Sequence, residues 1–289
     1  MNDLDEAKIK ELELKANDIR ESIIMMLLRA GSGHTAGPLG MADIFTALYF
    51  HILKHDPKNP EWPERDRLIL SNGHICPVLY ATLAHAGYFS LEELKTLRQF
   101  GSRLQGHPHR DFLPILETSS GPLGEGLAQA VGMALAERIN SGRSSQKFFY
   151  ALLSDGELDE GSSWEAAMLA GKEKLHNLIA IVDRNNIQID GFTEDVMPLD
   201  DLRAKWQAWN WHVLEIDGHS FEEIIGAVNQ AKDIFEKPSV IIAHTIPGKG
   251  VKEFERKFEW HGKPPNAAEA KMALAELRTL GGKIKSEHQ

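Results

Sequence analysis

Short apolar runs separated by helical segments are the feature that most constrains how this chain can fold. Five runs are predicted to be strands: Asp66–Ser71, Phe148–Leu153, Leu178–Val182, Trp211–Ile216 and Pro238–His244. The segments between them repeat apolar residues at helical spacing. Strands that alternate with helices favour βαβ units and a parallel sheet. The sequence therefore predicts an α/β fold with a parallel sheet flanked by helices.

Local signals set the expected bounds of several helices. Apolar residues recur every three or four positions from Leu4 to Arg29, and a second helix is expected to begin at Pro38. A further helix is expected over Ile75–Ala86. Beyond it, Ser90 followed by Glu93 matches a capping box, which predicts the start of another helix.

Size and composition favour one packed domain. The chain has 289 residues, 42% of them hydrophobic, with no repeat, low-complexity tract or Pro/Gly/Ser-rich linker. Chains of about 200–250 residues with an α/β pattern often form a single domain. Residues 1–289 are therefore predicted to form one domain, with a C-terminal loop, a helix in "NAAEAKMALAELRTL" and the polar tail "GGKIKSEHQ".

Net charge and cysteine content indicate which binding partners and which cellular location to expect. The formal net charge is −10 and no basic block is visible, so we expect no nucleic-acid partner. The apolar run Ile23–Leu28 is far shorter than the roughly 20 residues that cross a bilayer. Cys76 is the single cysteine, which excludes an internal disulfide. We expect a cytoplasmic protein with no membrane partner.

Two neighbouring predicted strands end in oxygen-bearing side chains. Asp155 and Gly156 follow the first strand, and Asn185 follows the second, thirty positions further on. Ligands of parallel sheets bind at the carboxyl ends of strands, and Mg²⁺ prefers such oxygen ligands with phosphate and water completing its shell. Gly156 would let phosphate oxygens approach the backbone at the start of the next helix. Asp-Gly and Asn-Asn are also ordinary turn residues, so the pair alone leaves a plain turn open.

The spacing of Asp155-Gly156 and Asn185 resembles the thiamine-diphosphate motif, with Ser154 in place of its first glycine. Five further segments, in family order, make the chain resemble transketolases. They are "GSGHTAGPLGMAD", "DRLILSNGHICPVLYATLAHAGY", "GSRLQGHPH", "TSSGPLGEGLAQAVGMALAERI" and "TIPGKGVKEFERKFEWHGKPPN". The resemblance implies a thiamine-diphosphate-binding fold, here its diphosphate-binding domain.

The resemblance also implies a cofactor site. Asp155, the side chain of Asn185 and the backbone carbonyl of Ile187 would bind Mg²⁺ or another divalent cation. Thiamine diphosphate would be held by residues that contact its diphosphate or line the pocket toward its aminopyrimidine ring. These are His74, Gly156, Gly121, Leu123 and Glu160, the last at a family position near the subunit interface.

Three histidines are expected to act in catalysis by the same resemblance. His34 and His261 would move protons while an alkoxide forms and collapses at the ketose carbonyl, and His107 would bind a hydroxyl of the two-carbon unit. Imidazoles have an ordinary pKa near 6.5, which suits both proton uptake and release at neutral pH.

Transketolases also carry a pyrimidine-binding domain, whose glutamate activates the cofactor, and this sequence contains no segment matching it. The chain therefore resembles the N-terminal subunit of a split transketolase, which is active only with a C-terminal subunit. An α2β2 heterotetramer is the expected assembly. Sugar phosphates would be its substrates, with the pentose phosphate pathway as the default role. A ketose with a sulfonate or unmodified end remains possible.

Other interpretations of single motifs are weaker. His107-Pro108-His109 could suggest zinc, and Cys76 near His74 a nucleophile pair. "GSGHTAG" follows a helix, whereas a dinucleotide fingerprint follows a strand. Two alternatives for the whole chain stay open: half of another thiamine-diphosphate enzyme, such as a deoxyxylulose-phosphate synthase-like or dehydrogenase-type component, and a non-catalytic regulatory subunit that keeps the fold.

Overall fold

A five-stranded parallel sheet organises the computed structural model, which describes residues 4–280. In chain order its strands are β1 (Arg67–Leu70), β2 (Phe149–Ser154), β3 (Leu178–Arg184), β6 (His212–Asp217) and β7 (Ser239–His244). Between β3 and β6, the short strands β4 (Ile187–Gln188) and β5 (Gly191–Phe192) form a separate antiparallel hairpin. The order in the main sheet is β1-β2-β3-β7-β6, and every pair is parallel. All five predicted strands are confirmed, with ends displaced by one or two residues.

Ten α-helices accompany the sheet within residues 4–280. They are α1 (Glu6–Ala30), α2 (Ala36–Gly40), α3 (Ala42–Ala47), α4 (Cys76–His85), α5 (Glu125–Ser141), α6 (Gly161–Glu173), α7 (Thr193–Val196), α8 (Leu202–Ala208), α9 (Phe221–Lys232) and α10 (Ala267–Leu280). The polar tail expected after α10 lies outside the described residues.

Two apolar cores cover the two faces of the sheet. Helices α5 and α6 pack on one face, where Ala151 and Leu153 of β2 point. Helices α1, α3, α4 and α9 pack on the other, where Tyr150 and Leu152 of the same strand point. Alternate residues of a strand serve opposite faces, so β2 is buried along its whole length.

The direction of the chain across the sheet reverses between β3 and β7. Helix α5, which leads into β2, and helix α6, between β2 and β3, lie on one face, whereas α9 between β6 and β7 lies on the other. Such a reversal opens a crevice at the carboxyl ends of the strands, which is the usual ligand site of these sheets. Asp183 and Thr245 lie at this point.

Two local predictions need correction. The helix expected from Pro38 is broken into α2, α3 and a wide π-helical turn, Leu48–Ile52. Gly40 lies so close to the loop after β7 that a methyl group there would come within 3.0 Å of the Ile246 carbonyl oxygen. Close backbone packing therefore sets this segment, rather than a continuous helix.

The capping box expected at Ser90 is also wrong. Ser90 Oγ accepts a hydrogen bond from Glu92 N at 3.2 Å, and the segment Leu91–Thr96 forms a 3₁₀ helix. The carboxylate of Glu93 binds Arg103 instead of returning to the Ser90 backbone. The nearby arginine competes successfully for the side chain that the capping box would use.

A buried polar network, which we call the Arg20 network, joins α1, α3 and the loops after β6 and β7. Arg20 donates to both carboxylate oxygens of Asp43, at 3.0 and 2.6 Å, and to the Leu39 carbonyl oxygen at 3.1 Å. His219 Nδ1 lies 2.7 Å from Asp43 Oδ2, and His219 Nε2 accepts from Ile246 N. Burial alone would raise the pKa of Asp43, but the Arg20 charge and the His219 hydrogen bond outweigh it and lower that pKa to about 2.

Candidate active site

Asp155 lies at the carboxyl end of β2 and is completely buried. Its oxygens accept hydrogen bonds from Gly156 N at 2.8 Å and Asn186 N at 2.6 Å, and Arg184 lies 3.2 Å away. Asn186 reaches this position with a left-handed backbone (φ 64°), a conformation that asparagine tolerates better than most residues. The carboxylate is thus fixed from both strand ends.

The neighbouring strand end adds Asp183 and Asn185, both buried. Asn185 Nδ2 donates to Asp183 Oδ2 at 2.8 Å, and Asn185 Oδ1 accepts from Ile187 N at 3.0 Å. Thr245, which follows β7, donates to the other oxygen of Asp183. The sequence analysis missed Asp183, although its place in "VDRNN" at a predicted strand end could have signalled it.

Electrostatics make this edge of the sheet receptive to a cation. Burial raises the pKa of Asp155 to about 6, against the opposing hydrogen bond from Asn186 and the Arg184 charge. Burial also raises the pKa of Asp183 to about 7, with the nearby Asp155 charge adding to the effect. A nearby cation would stabilise the ionised form of these two buried carboxyl groups. The oxygen atoms at this edge of the sheet therefore fit a divalent cation.

Ile187 carries the third predicted metal ligand in its backbone carbonyl. It begins β4, and the β4–β5 hairpin holds it two residues beyond Asn185. Within residues 4–280, no group of three or more His, Cys, Asp or Glu side chains is placed to hold a metal. The predicted ligands, the Asp155 carboxylate, the Asn185 amide and the Ile187 carbonyl, include only one side chain of these four types, so they would not form such a group.

The helix expected at Gly156 begins there, as a 3₁₀ turn that precedes α6. Gly156–Asp159 forms a 3₁₀ turn, and α6 begins only at Gly161. The buried carboxylate of Glu157 fixes this turn, because it accepts from Gly124 N at 2.7 Å, Ser154 N at 3.2 Å and the Ser71 hydroxyl. Glu157 therefore ties together the ends of β1 and β2 and the loop before α5, a role that the sequence did not reveal.

Histidines from three distant segments of the chain meet in a second cluster. The ring centroids of His34 and His74 are 4.9 Å apart, those of His74 and His261 5.2 Å, and those of His34 and His261 5.4 Å. His34 Nδ1 is buried without a hydrogen-bond partner among the described residues. A buried polar atom without a partner is costly and indicates a group prepared for a ligand.

Burial and mutual repulsion favour the neutral imidazoles. Burial lowers the pKa of His34 to about 4, assisted by the charges of His261, Arg98 and His107. Burial likewise lowers the pKa of His261 to about 4 and that of His74 well below its usual value. For His107, burial and the Arg98 charge lower the pKa. The cluster is therefore neutral at physiological pH and able to accept a proton.

The remaining predicted residues surround the histidines and the strand ends. A methyl group on Gly73 would contact Ser120 and the Gly121 backbone, and one on Gly121 would lie 3.9 Å from His107 Cβ, so these segments touch. Leu123 is half-buried, two residues beyond Gly121. Glu160 is exposed, and its Cβ packs against Gly124. The structure therefore brings the predicted residues to one side of the sheet.

Within residues 4–280 the structure also disfavours both weaker interpretations of single motifs, zinc at His107-Pro108-His109 and a Cys76–His74 nucleophile pair. Burial raises the pKa of the Cys76 thiol to about 12, and Cys76 Sγ lies 3.2 Å from the Gly106 carbonyl oxygen. A thiol in this state is a poor nucleophile, which disfavours the Cys76–His74 pair. His109 packs on Phe112, with ring centroids 4.9 Å apart. The sequence analysis overlooked Arg98, which lies next to His34 and His107.

Comparison with known proteins decides the family. The family described as "Transketolase, thiamine diphosphate binding domain" matches residues 12–281. The chain belongs to the transketolase family. A transketolase from Campylobacter jejuni has a superposable structure (TM-score 0.84, 38% identity), which covers 98% of this chain and 48% of the solved one. The predicted thiamine-diphosphate-binding fold is confirmed.

Transketolase relatives of similar length are named as subunits. The 6-deoxy-6-sulfo-D-fructose transketolase subunit SqwG of a Clostridium species is 44% identical over 94% of this chain and 98% of its own length. A subunit of the apulose-4-phosphate transketolase of Phocaeicola vulgatus is 39% identical over 97% of this chain and 99% of its own length. These matches confirm the prediction of a transketolase subunit of the N-terminal type. Within residues 4–280 no helix is long and apolar enough to cross a membrane.

Proposed function

We propose that this chain is the diphosphate- and metal-binding subunit of a split transketolase. It would transfer a two-carbon ketol unit from a ketose phosphate to an aldose phosphate. The observation that supports this most is the meeting of His34, His74 and His261, with no acidic partner among the described residues, in a fold whose neighbouring strands end in buried oxygen-bearing side chains. The histidine cluster suits proton transfer, and the oxygen ligands at the strand ends suit a metal-bound diphosphate.

Asp155, the side-chain oxygen of Asn185 and the carbonyl oxygen of Ile187 would hold Mg²⁺ or another divalent cation. Mg²⁺ takes few carboxylates and completes its shell with water and phosphate oxygens, which matches a set with one carboxylate. Asp183 orients the amide, because it accepts the Asn185 N–H at 2.8 Å and leaves the amide oxygen as the ligand.

Thiamine diphosphate, when bound, supplies a ring that stabilises the carbanion formed on cleaving the bond beside the ketose carbonyl. His74 and Gly156 would contact its diphosphate. Gly121, Leu123 and Glu160 would lie toward its aminopyrimidine ring. Gly156 suits this position because its amide is already fixed by Asp155, and the absence of a side chain leaves the backbone accessible.

His34 and His261 would exchange protons with the sugar hydroxyl at the reacting carbon. Burial favours the neutral form of both rings, so each would have a nitrogen free to accept a proton as a hydroxyl is deprotonated, and it would return that proton to a forming alkoxide. His107 would bind a hydroxyl of the two-carbon unit. The partly buried rings of His34 and His261 also limit the access of bulk water to the reacting carbons.

The remaining functional parts are assigned to a C-terminal subunit that carries the pyrimidine-binding domain, in an α2β2 heterotetramer. Residues 1–289 would act as one diphosphate-binding domain in that assembly. A role in the pentose phosphate pathway and a cytoplasmic location complete the proposal. The buried free thiol of Cys76 is compatible with a reducing compartment.

The test is ketol transfer from xylulose 5-phosphate to ribose 5-phosphate with Mg²⁺ and thiamine diphosphate. It compares this chain alone, the chain mixed with the polypeptide encoded beside it, and that polypeptide alone. We expect activity in the mixture only. Transfer by this chain alone would contradict the split enzyme, and cofactor binding without transfer in the mixture would direct the search to another donor.

A second candidate differs in the donor sugar. The relatives named for 6-deoxy-6-sulfo-D-fructose and apulose 4-phosphate show that subunits of this length occur with other ketoses in their names. The same mixture should therefore be offered a sulfonated ketose and apulose 4-phosphate. Pyruvate as donor separates the deoxyxylulose-phosphate synthase-like alternative, and failure to bind cofactor even with the partner would indicate a regulatory subunit.

A further inference from the structure

The guanidinium of Arg98 lies between the two loops that carry His34 and His107. A methyl group on Gly33, the residue before His34, would lie 3.6 Å from Arg98 Nε. One on Gly106, the residue before His107, would lie 2.8 Å from Arg98 Cζ. The guanidinium therefore packs against the backbone of both histidine loops, more closely at Gly106 than at Gly33.

The backbone of Arg98 is shaped for this position. Arg98 has a left-handed conformation (φ 59°), which is uncommon for a residue with a side chain, and its N–H donates to the Leu104 carbonyl oxygen at 3.0 Å. Its side chain donates to the Gly106 carbonyl oxygen at 3.2 Å. Cys76 Sγ binds the same carbonyl oxygen from the α4 side. The loop before His107 is thereby held from two directions.

The charge of Arg98 has no acidic counterpart. Among the described residues none of its guanidinium nitrogens pairs with a carboxylate, and the side chain is exposed. Arg103, five residues further along, instead binds both oxygens of Glu93. An unpaired guanidinium beside imidazoles favours their neutral form, because a second positive charge would be repelled.

We propose that Arg98 is a positioning residue for ketol transfer, which holds the His34 and His107 loops together and disfavours a positive charge on either imidazole. The inference rests on the proposed function, in which these histidines face the reacting carbons. The neighbouring groups agree with it. Besides His34 and His107, the groups that face Arg98 are Cys76 and Tyr80 of α4, whose pKa values burial raises so far that both stay uncharged.

The remaining charges around the cluster act in the same direction. His74 and His261 face His34, and each would repel a proton placed on it. Burial contributes more than Arg98 to the lowered pKa values of His34 and His107. Removing Arg98 should therefore raise these two pKa values in part and leave them below the ordinary value of about 6.5.

The test is an NMR titration of the full chain with labelled histidines, in which H34Q and H107Q assign the two signals. In R98M we expect the pKa values of His34 and His107 to rise by roughly 0.5, the size that a partly exposed charge pair produces. R98K should restore them, since it keeps the charge. R103M is the matched control, because it removes a charge from the same loop, and it should leave both signals unmoved.

Salt provides a second measurement, made on the unaltered chain and on R98M. Raising the ionic strength screens an exposed charge, so the two pKa values should rise with salt in the unaltered chain. The same rise should be absent from R98M. Unmoved pKa values in a folded R98M, or an equal effect of R103M, would overturn the proposal. Because no substrate is present, either result is independent of whether the complex transfers ketol units.

Discussion

The Arg20 network and the histidine cluster of the candidate site differ in how far the hydrogen-bonding atoms of their histidines have partners. In the Arg20 network both ring nitrogens of His219 have partners, Asp43 and the Ile246 backbone. Among the described residues the site cluster of His34, His74 and His261 has ring contacts but no acid, and His34 Nδ1 has no partner. A completed network stabilises the fold, whereas an incomplete one lowers stability and is retained for a ligand.

The largest expected effect comes from opening the Arg20 network. Asp43→Asn leaves the fully buried Arg20 without its counter-charge, and losing one partner of a buried pair costs about 3–5 kcal/mol. Urea unfolding measures this loss. Asp18→Asn is the control, since Asp18 is exposed on the same helix as Arg20 and should change the unfolding free energy by less than about 0.5 kcal/mol. A loss below about 1 kcal/mol for Asp43→Asn would remove the distinction between the clusters.

Substitution of a strand-end ligand should weaken cofactor binding and leave the stability of the fold unchanged. Asp155→Asn should weaken binding of Mg²⁺ and thiamine diphosphate by at least about 100-fold, since even outer residues of metal sites are worth 10- to 100-fold. Calorimetric titration of the chain with its partner measures this. The variant should unfold no more easily than the parent protein, because the buried carboxylate is costly to ionise.

Asp195→Asn is the control for that measurement. Asp195 is exposed on α7 and takes no part in the hydrogen bonds that hold Asp155, so its replacement should leave cofactor affinity unchanged. If Asp155→Asn bound the cofactor normally, or if it destabilised the chain as strongly as Asp43→Asn, Asp155 would be part of the structural framework instead of the site.

The smallest expected effect is on how the stability of the protein depends on pH, through His261. The pKa of His261 is lowered to about 4 by burial, below its ordinary value near 6.5 in the unfolded chain. Between these values the unfolded chain binds more protons, so stability falls as the pH falls from 6.5 toward 4. His261→Gln removes this contribution. Between pH 7 and 5 the unfolding free energy of the variant should therefore fall by up to about 2 kcal/mol less than that of the unaltered protein.

Urea unfolding at several pH values measures that difference. Between pH 8 and 9 His261 is neutral in both states, so there the difference between the two proteins should stay constant with pH. Equal losses of stability on acidification would show that His261 is not held neutral in the folded protein.

The sequence predicted the sheet well because buried parallel strands have a simple pattern. The runs Phe148–Leu153 and Leu178–Val182 agree with β2 and β3 to within two residues. The breaks in the segment after Pro38 could not be predicted, since they arise from the approach of Gly40 to the loop after β7, more than two hundred residues away. Contacts at such separation leave no local pattern.

Site residues could be predicted where they come directly after a predicted strand or lie in a segment that resembles the family. Asp155 and Asn185 belong to the first kind, and His34 and His261 to the second. Glu157 was missed because it acts through a hydrogen bond to Gly124, which only the folded chain brings near, whereas the place of Asp183 at a predicted strand end could have signalled it. Arg98 lies in a loop without periodicity, so nothing in the sequence distinguished it from any surface arginine.

The separation of the site histidines along the chain has a consequence for biosynthesis. His34 leaves the ribosome more than two hundred residues before His261, yet their rings are 5.4 Å apart in the folded protein. A nascent chain that has released β1 to β3 already has both acidic strand ends and lacks the third ring of the cluster. Ligand binding through all three histidines must therefore wait until the segment around His261 has emerged.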